Sequence, residues 1–403
     1  MFVLLGVFFL GNLDVQIISP ILPFIQNEFS VSSAAIGFPV MIYAISGAVW
    51  ALVIGPLSDR YGRMQFIRGA TVCLTIASII AFFSHSFVPY LIARGLAGLA
   101  GGTFSACIIA QIADQFSFEQ RGKAMGAVGA TLSLAAVFGG AAGAFIASSF
   151  GWRILYMGLI IISAFFVLIT PGSSPVKTSQ NTRSDEGTGS TIMEQISGQI
   201  NQYFHFWTGS QTRHGLVLAI LITATSTSIM AFLGLWLRES FGIEKLTFAL
   251  VYVAAGLSTV IGSLAGGYLG DRLGKDKLVA FGSLFILIIT MSPFFISTIP
   301  GVFCFAIFGG LAISLREGPY QALITELVDS QARGAYIAMR STTAKLGMAL
   351  ASVFASIFYQ WGGYVLVAAF AGLCSLAAAI TVWFFIAPKL TDSLSPSQQA
   401  TGK

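Results

Sequence analysis

Five ionisable residues, Asp14, Arg94, Arg316, Glu317 and Lys345, fall inside long apolar runs of the chain. A charge at mid-bilayer costs about 2.5–3.5 kcal/mol on insertion scales, so a chain keeps one for a pathway, a proton relay or a pair. Asp14 is a candidate proton-binding carboxylate, with Arg94 as its charge partner. A motion that separated the two would load or release a proton. Depth counted from opposite faces brings Asp14 and Arg94 to similar levels. The competing reading is a permanent structural ion pair. In its favour, Asn12, Gln16 and Ser19 form their own polar face on that helix, and Asp14 lies nearly opposite it.

Arg94 shares a face with Gly98, Gly101, Gly102 and Ser105, a small-residue stripe that lets a neighbouring helix approach closely. Glu317 shares one with Gly310, Ser314 and Gln321, and Lys345 one with Ser341, Thr342, Ser352 and Ser356. Both faces are polar and are expected to border a central cavity. Substrate contact is expected there from Asn12, Gln16, Arg316, Glu317, Tyr320, Gln321 and Lys345, with Glu317 a second proton-coupling candidate. Trp236 and Tyr320, with Tyr43 and Trp50, would supply an adaptable apolar wall, and the run Thr223, Thr225, Ser226, Thr227, Ser228 would line the cavity or flex. A Glu317–Lys345 bridge that only neutralises two charges is the alternative.

These residues need a membrane protein to position them. Of 403 residues, 56% are hydrophobic and 9% charged, against roughly 25% charged in a soluble domain. The net charge of +5 is therefore not a nucleic-acid footprint. On a ruler of about 17–25 residues per crossing helix, twelve spans are expected, near 2–25, 35–57, 66–84, 88–112, 123–148, 153–170, 214–237, 246–269, 278–298, 302–325, 335–359 and 364–387. Lipid offers backbone groups no partners, so the spans must be helices. Fifteen of the 21 Lys and Arg residues fall on the side of Arg60 and Arg63, and three on the other side, at Arg153, Arg238 and Lys245. That bias places the first side and both termini in the cytoplasm. An opening run that carries Asn12, Asp14 and Gln16 does not read as a cleaved signal peptide.

The expected organisation is a first six-helix bundle over 1–170, a linker over 171–213, a second bundle over 214–388 and a tail over 389–403. The linker is rich in Ser, Thr, Gly and Gln. Within it, Thr191 and Glu194 form a capping box, and Ile192, Ile196, Ile200, Tyr203 and Trp207 follow at helical spacing, as in an amphipathic helix lying on the cytoplasmic membrane face. Cys73, Cys107, Cys304 and Cys374 lack metal spacing and read as small buried hydrophobes. There is no phosphate-binding G-x-x-x-x-G-K-S/T and no nucleophile–base spacing around His85, His205 or His214, so neither an enzyme nor a cofactor is implied.

The chain also states one stretch twice. Gly55-Pro56-Leu57-Ser58-Asp59-Arg60-Tyr61-Gly62-Arg63 recurs as Gly267-Tyr268-Leu269-Gly270-Asp271-Arg272-Leu273-Gly274-Lys275, 212 residues on (271 − 59). Asp114 and Arg121 map onto Glu326 and Arg333 at the same offset, so the chain is a duplicated unit. The twice-stated stretch resembles the signature loop of the major facilitator superfamily, G-x-L-x-D-R-x-G-R/K between helices 2 and 3. The resemblance implies an all-α membrane protein of two six-helix halves related by a pseudo-two-fold axis, each built from three-helix inverted repeats around a central cavity. It also implies a cytoplasmic gate. Asp59 and Asp271 would face helix N-termini of the opposite half, and Arg60, Arg63, Arg272 and Lys275 would bridge to Asp114 and Glu326. Gly55 and Gly62 would shape the turn, and Arg121 and Arg333 would complete the set. Topology alone is the simpler account of these bases.

Arg94-Gly95-Leu96-Ala97-Gly98 resembles the family's proton-linked R-x-x-Q-G, with Ala97 where Gln is usual. Ala135 to Ala144 resembles the antiporter motif of helix 5. It keeps Gly139 and Gly143, but Gly140 replaces the proline and Ala144 the last Gly. The leading reading is a monomeric secondary transporter in the plasma (inner) membrane. It would export a small amphipathic organic compound by alternating access, coupled to protons and without nucleic acid. The alternatives are a lipid or lysolipid transporter of the same superfamily, an uncoupled uniporter and a non-transporting membrane sensor.

Overall fold

A computed structural model describes residues 1–115, 118–170, 192–329 and 332–387. Its helices are α1 Phe2–Gln16, α2 Ile18–Phe29, α3 Phe38–Tyr61, α4 Arg63–Phe82, α5 Phe87–Gln115, α6 Phe118–Phe150, α7 Arg153–Ile169, α8 Ile192–Thr208, α9 Ser210–Ala231, α10 Leu233–Phe241, α11 Lys245–Leu273, α12 Lys275–Met291, α13 Ile299–Glu326 and α14 Arg333–Ile380. A π-helical turn, Thr381–Ile386, continues α14.

The twelve expected spans map onto these helices once two joins and one division are made. The first span is a broken one: α1 and α2 meet at Ile17 with a 46° bend. Pro20 explains the break, because it has no N–H for the Gln16 carbonyl and its ring crowds that carbonyl. The seventh span is α9 with α10, 32 residues together. Here Thr225 and Ser226 donate back to the carbonyls of Leu221 and Ile222, a pattern that loosens a helix. The run Arg333–Ile386 has 54 residues, about 80 Å if straight, against a hydrocarbon core of about 30 Å. It is two spans, divided at Gly362 (φ −159°, ψ 27°) and Gly363 (φ 66°, ψ −161°). The second of these values needs glycine. α7 and α12 have 17 residues each, the fewest among the unbroken spans, and a 3-10 turn, Ser292–Phe294, extends α12.

Small residues set how the helices pack. A side-chain carbon at Gly102 would stand 2.7 Å from the Gly47 carbonyl, so α3 and α5 approach backbone to backbone. In the second half α11 and α13 do the same, with Gly262 against the Leu311 carbonyl and Gly310 against the Ala255 carbonyl. The first half is built on α3–α5, α4–α5, α4–α7 and α1–α6 contacts, and the second on α9–α14, α11–α13, α12–α13 and α12–α14. The halves meet through α3 with α14, α6 with α11 and α2 with α10. The first two of these pairs exchange under the duplication, as a pseudo-two-fold axis requires.

α8 forms where the linker was expected to be helical; Thr191 and the Glu194 side chain lie outside the described part. Its Tyr203 and Phe206 are buried against protein, and Ile200 and Phe204 are exposed. Phe206 packs edge-on to Tyr336 of α14, and Gln199 lies under Gly55 of α3. The helix therefore touches both halves beneath the charged turns.

Candidate functional site

The charged turns are helical almost throughout. Asp59 and Arg60 close α3, Asp271 and Arg272 close α11, and the caps Gly62 and Gly274 turn the chain into α4 and α12. Asp59 accepts from Arg63, with Nε at 2.9 Å and Nη2 at 2.7 Å. Lys275 bonds Glu326, joining the start of α12 to the end of α13. Arg60 lies over the Tyr61 ring and Arg272 over Tyr268, and Arg333 donates to the Thr325 carbonyl at 3.0 Å. Asp271 is exposed. The side chains of Asp114 and Arg121 lie outside the described part. Each of the contacts just named stays within one half. Among the described residues, no bond from Asp59 or Asp271 to a helix N-terminus of the opposite half is present.

At mid-depth in the first half, Arg94 Nη1 straddles the Asp14 carboxylate at 2.9 and 3.0 Å. Both residues are nearly inaccessible, at 1% and 2%. The pair faces the interior of its own half. Ala77, Ser78, Ala81, Ala93, Ala97 and Tyr156 line a crevice beside it that is too tight for water. The Tyr43 ring stands 4.8 Å from the guanidinium, and Tyr90 and Tyr156 share a hydrogen bond of 2.9 Å nearby. Asn12 donates to the Phe8 carbonyl, and Gln16 packs on Gly139.

The second half separates the residues that its sequence places side by side. Arg316 is fully buried and points into the bundle. Its Nη1 lies 3.3 Å from both Ser283 and Ser375, its Nη2 donates to the Ile222 carbonyl at 3.4 Å, and its Nε has no partner. Glu317, one residue on, is half-buried and accepts from exposed Gln321 at 3.2 Å. Tyr320 is buried, with Arg340 5.7 Å over its ring. Trp236 stacks on Tyr364 at 4.6 Å inside the core of its half. Lys345 is not bridged to Glu317. It reaches across to the first half, 5.8 Å from the centroid of Tyr43. A cation–π contact is worth about 0.5–2 kcal/mol, less than the insertion cost of the ammonium, so the ring compensates it only in part.

Contacts between the halves run from this level to the end opposite the charged turns. Ser19 bonds both the Met230 carbonyl and, at 2.7 Å, the Tyr252 hydroxyl. Gly234 packs on the Ser19 carbonyl, which Pro23 leaves without a helical donor. Arg238 lies 4.2 Å over Phe24, and Gly37 lies against Ser352 and Ser356. Gly140 meets the Tyr252 ring and Gly256 meets Val137. Toward the charged turns, by contrast, nothing among the described residues packs within 4 Å of where side chains at Gly126 and Gly129 of α6 would begin. Among the described residues the halves are thus in contact on one side of the midplane and apart at Gly126 and Gly129 on the side of the turns.

Sequence reasoning missed Tyr252, because it has no counterpart in the repeat and no polar neighbours. Glycine at 140 was the available signal. Gly139 and Gly143 accommodate α1 and α2, whereas Gly140 accommodates the opposite half.

The sequence matches the profile described as Major Facilitator Superfamily over residues 4–212 and 215–402. It is 24% identical over 359 residues to an uncharacterised MFS-type transporter of Bacillus subtilis, covering 88% of each chain. It is 25% identical over 386 residues to the class E tetracycline resistance protein of Escherichia coli, covering 90% of this chain and 89% of that one. The fold superposes on the xylose transporter of E. coli in its inward-open conformation with a TM-score of 0.73 at 17% identity, covering 96% and 95% of the two chains. The twice-stated turn, the twelve spans and the paired halves agree with these matches: the chain is a multi-pass membrane transporter of the Major Facilitator Superfamily.

Proposed function

We propose that this transporter exports a small amphipathic organic compound by alternating access, driven by inward movement of protons. The observation that carries the reading is the one-sided contact between the halves. They touch from the midplane to one end, with Lys345 and Tyr43 at the edge of the contact, and part toward the turns. If the bases mark the cytoplasm, this is the inward-open state, with both termini on the cytoplasmic side. The kinship with a tetracycline resistance protein supports export. A proton crossing the membrane potential gains about 2.3 kcal/mol per 100 mV, enough to drive tens-of-fold accumulation.

Asp14 is the proposed proton site. It stands three residues before the break at Ile17, so a change in the 46° bend would move its carboxylate against Arg94. In proteoliposomes carrying an imposed pH gradient, tetracycline or an amphipathic dye should be transported only while the gradient lasts. Asp14→Asn leaves Arg94 uncompensated and should lower stability, and the fraction that elutes as a folded species should transport without response to the gradient. Gradient-driven transport unaltered in Asp14→Asn removes Asp14 from coupling. Equal transport with and without the gradient in the unmodified protein makes it a uniporter.

A further inference from the structure

Among the described residues, Lys345, inside the membrane-spanning region, has no carboxylate as counter-ion. The ion pairs among the described residues are Asp59–Arg63, Asp14–Arg94, Glu28–Arg153 and Glu326–Lys275. Asp14 is committed to Arg94, and Glu317 is held by Gln321. Lys345 lies 5.8 Å from the centroid of the Tyr43 ring, and that ring already carries Arg94 at 4.8 Å, so two cations share it.

Position adds to this. Lys345 projects from α14 onto α3 at Gly47, where an added side-chain carbon would stand 3.0 Å from Nζ. Glycine therefore lets the ammonium lie against the α3 backbone, on the side where the Gly98 carbonyl of α5 also approaches. From here to the closed end the two helices are in contact, as far as Gly37 against Ser352. Lys345 is thus near the limit a molecule entering from the open side would reach. A half-buried cation at that place repels a cationic ligand and attracts an anionic one.

We propose that Lys345 is the anion-binding residue of the cleft, and that the transported amphiphile carries a carboxylate or phosphate headgroup which docks on it beside Tyr43. The proposal rests on the transporter reading above and names the substrate class.

The test is equilibrium binding to the purified full-length protein in nanodiscs, without any gradient. The probes are dodecanoate, dodecyl phosphate, dodecanol, dodecyltrimethylammonium and inorganic phosphate, read by quenching of the native tryptophans. Both anionic amphiphiles should bind about tenfold or more tighter than the alcohol, and the cation weakest. Lys345→Gln should bring anion and alcohol within about twofold, and Lys345→Arg should keep the preference. Lys345→Met replaces the Gln variant if that one fails to elute as a single folded species. Inorganic phosphate binding that Lys345→Gln abolishes supports a free anion as the source. Binding of the amphiphiles alone supports a lipid-like headgroup. Equal affinity for anion and alcohol in the unmodified protein overturns the proposal, as do a preference retained by Lys345→Gln and tighter binding of the cation. Because no gradient is used, such a result leaves proton-driven transport standing, and a failed transport assay leaves the binding result standing.

Discussion

Gly62 and Gly274, 212 positions apart (274 − 62), hold the same backbone conformation: φ 96°, ψ 122° at the first and φ 94°, ψ 134° at the second. Each caps a long helix that ends in Asp-Arg-x and hands the chain to the next helix one residue later. Residues with a Cβ adopt such angles at a cost of about 1–3 kcal/mol. Gly62→Ala and Gly274→Ala should therefore each lower the melting temperature by similar amounts. Gly267→Ala is the control, since it lies within α11 with open space around it and should leave stability unchanged or slightly raised. A Gly274→Ala protein as stable as the control would show that the turn is not set by its angles.

The Asp14–Arg94 pair makes a second, separable prediction. Breaking a buried pair by removing one partner costs about 3–5 kcal/mol, because the other charge is left uncompensated, whereas removing both costs much less. Arg94→Gln should thus destabilise the protein in thermal melts more than the double variant Asp14→Asn with Arg94→Gln. Additive losses would mean that the two side chains are not coupled.

Docking of α8 should depend on Tyr203 and Phe206. Truncating Phe206 to Ala should raise amide exchange along α8 and leave α11 to α13 as protected as before. Burial raises the Tyr203 phenol pKa. The docked helix holds that proton where a released one would lose it. Docking is therefore at full strength below about pH 10, the ordinary tyrosine value, and weakens as pH climbs through the raised one. Tyr203→Phe should remove that alkaline transition. Its survival in the Phe variant would assign it to another group.

Much of this was legible in the sequence, because apolar length and the two charged turns are coarse signals. Spans, duplication and the shared depth of Asp14 and Arg94 need only counting. The bend at Ile17 was written in Pro20, but a length ruler runs straight over it. Arg316 and Glu317 are neighbours in sequence and so stand about 100° apart on a helix. Only one could face the cleft, and spacing did not say which. Trp236 could be a cavity wall or a core ring by composition, and it is stacked in the core. The partner of Lys345 lies across the seam between the halves, in a contact that exists only once both are folded. Likewise an amphipathic α8 has an apolar edge that suits lipid or protein equally, and tertiary packing chose protein for Tyr203 and Phe206.

Under the proposed alternating access, the halves rock about the level of Lys345, so opening one end closes the other. Gly37 packs on Ser352 at the closed end, and Gly37→Trp should wedge that end open. Spin-label pairs in a cysteine-free background read both ends: Ser32 with Gln360 at the closed end, Arg60 with Gly334 at the turns. The wedge should lengthen the first distance and shorten the second. A longer first distance with the second unchanged or also longer would contradict it.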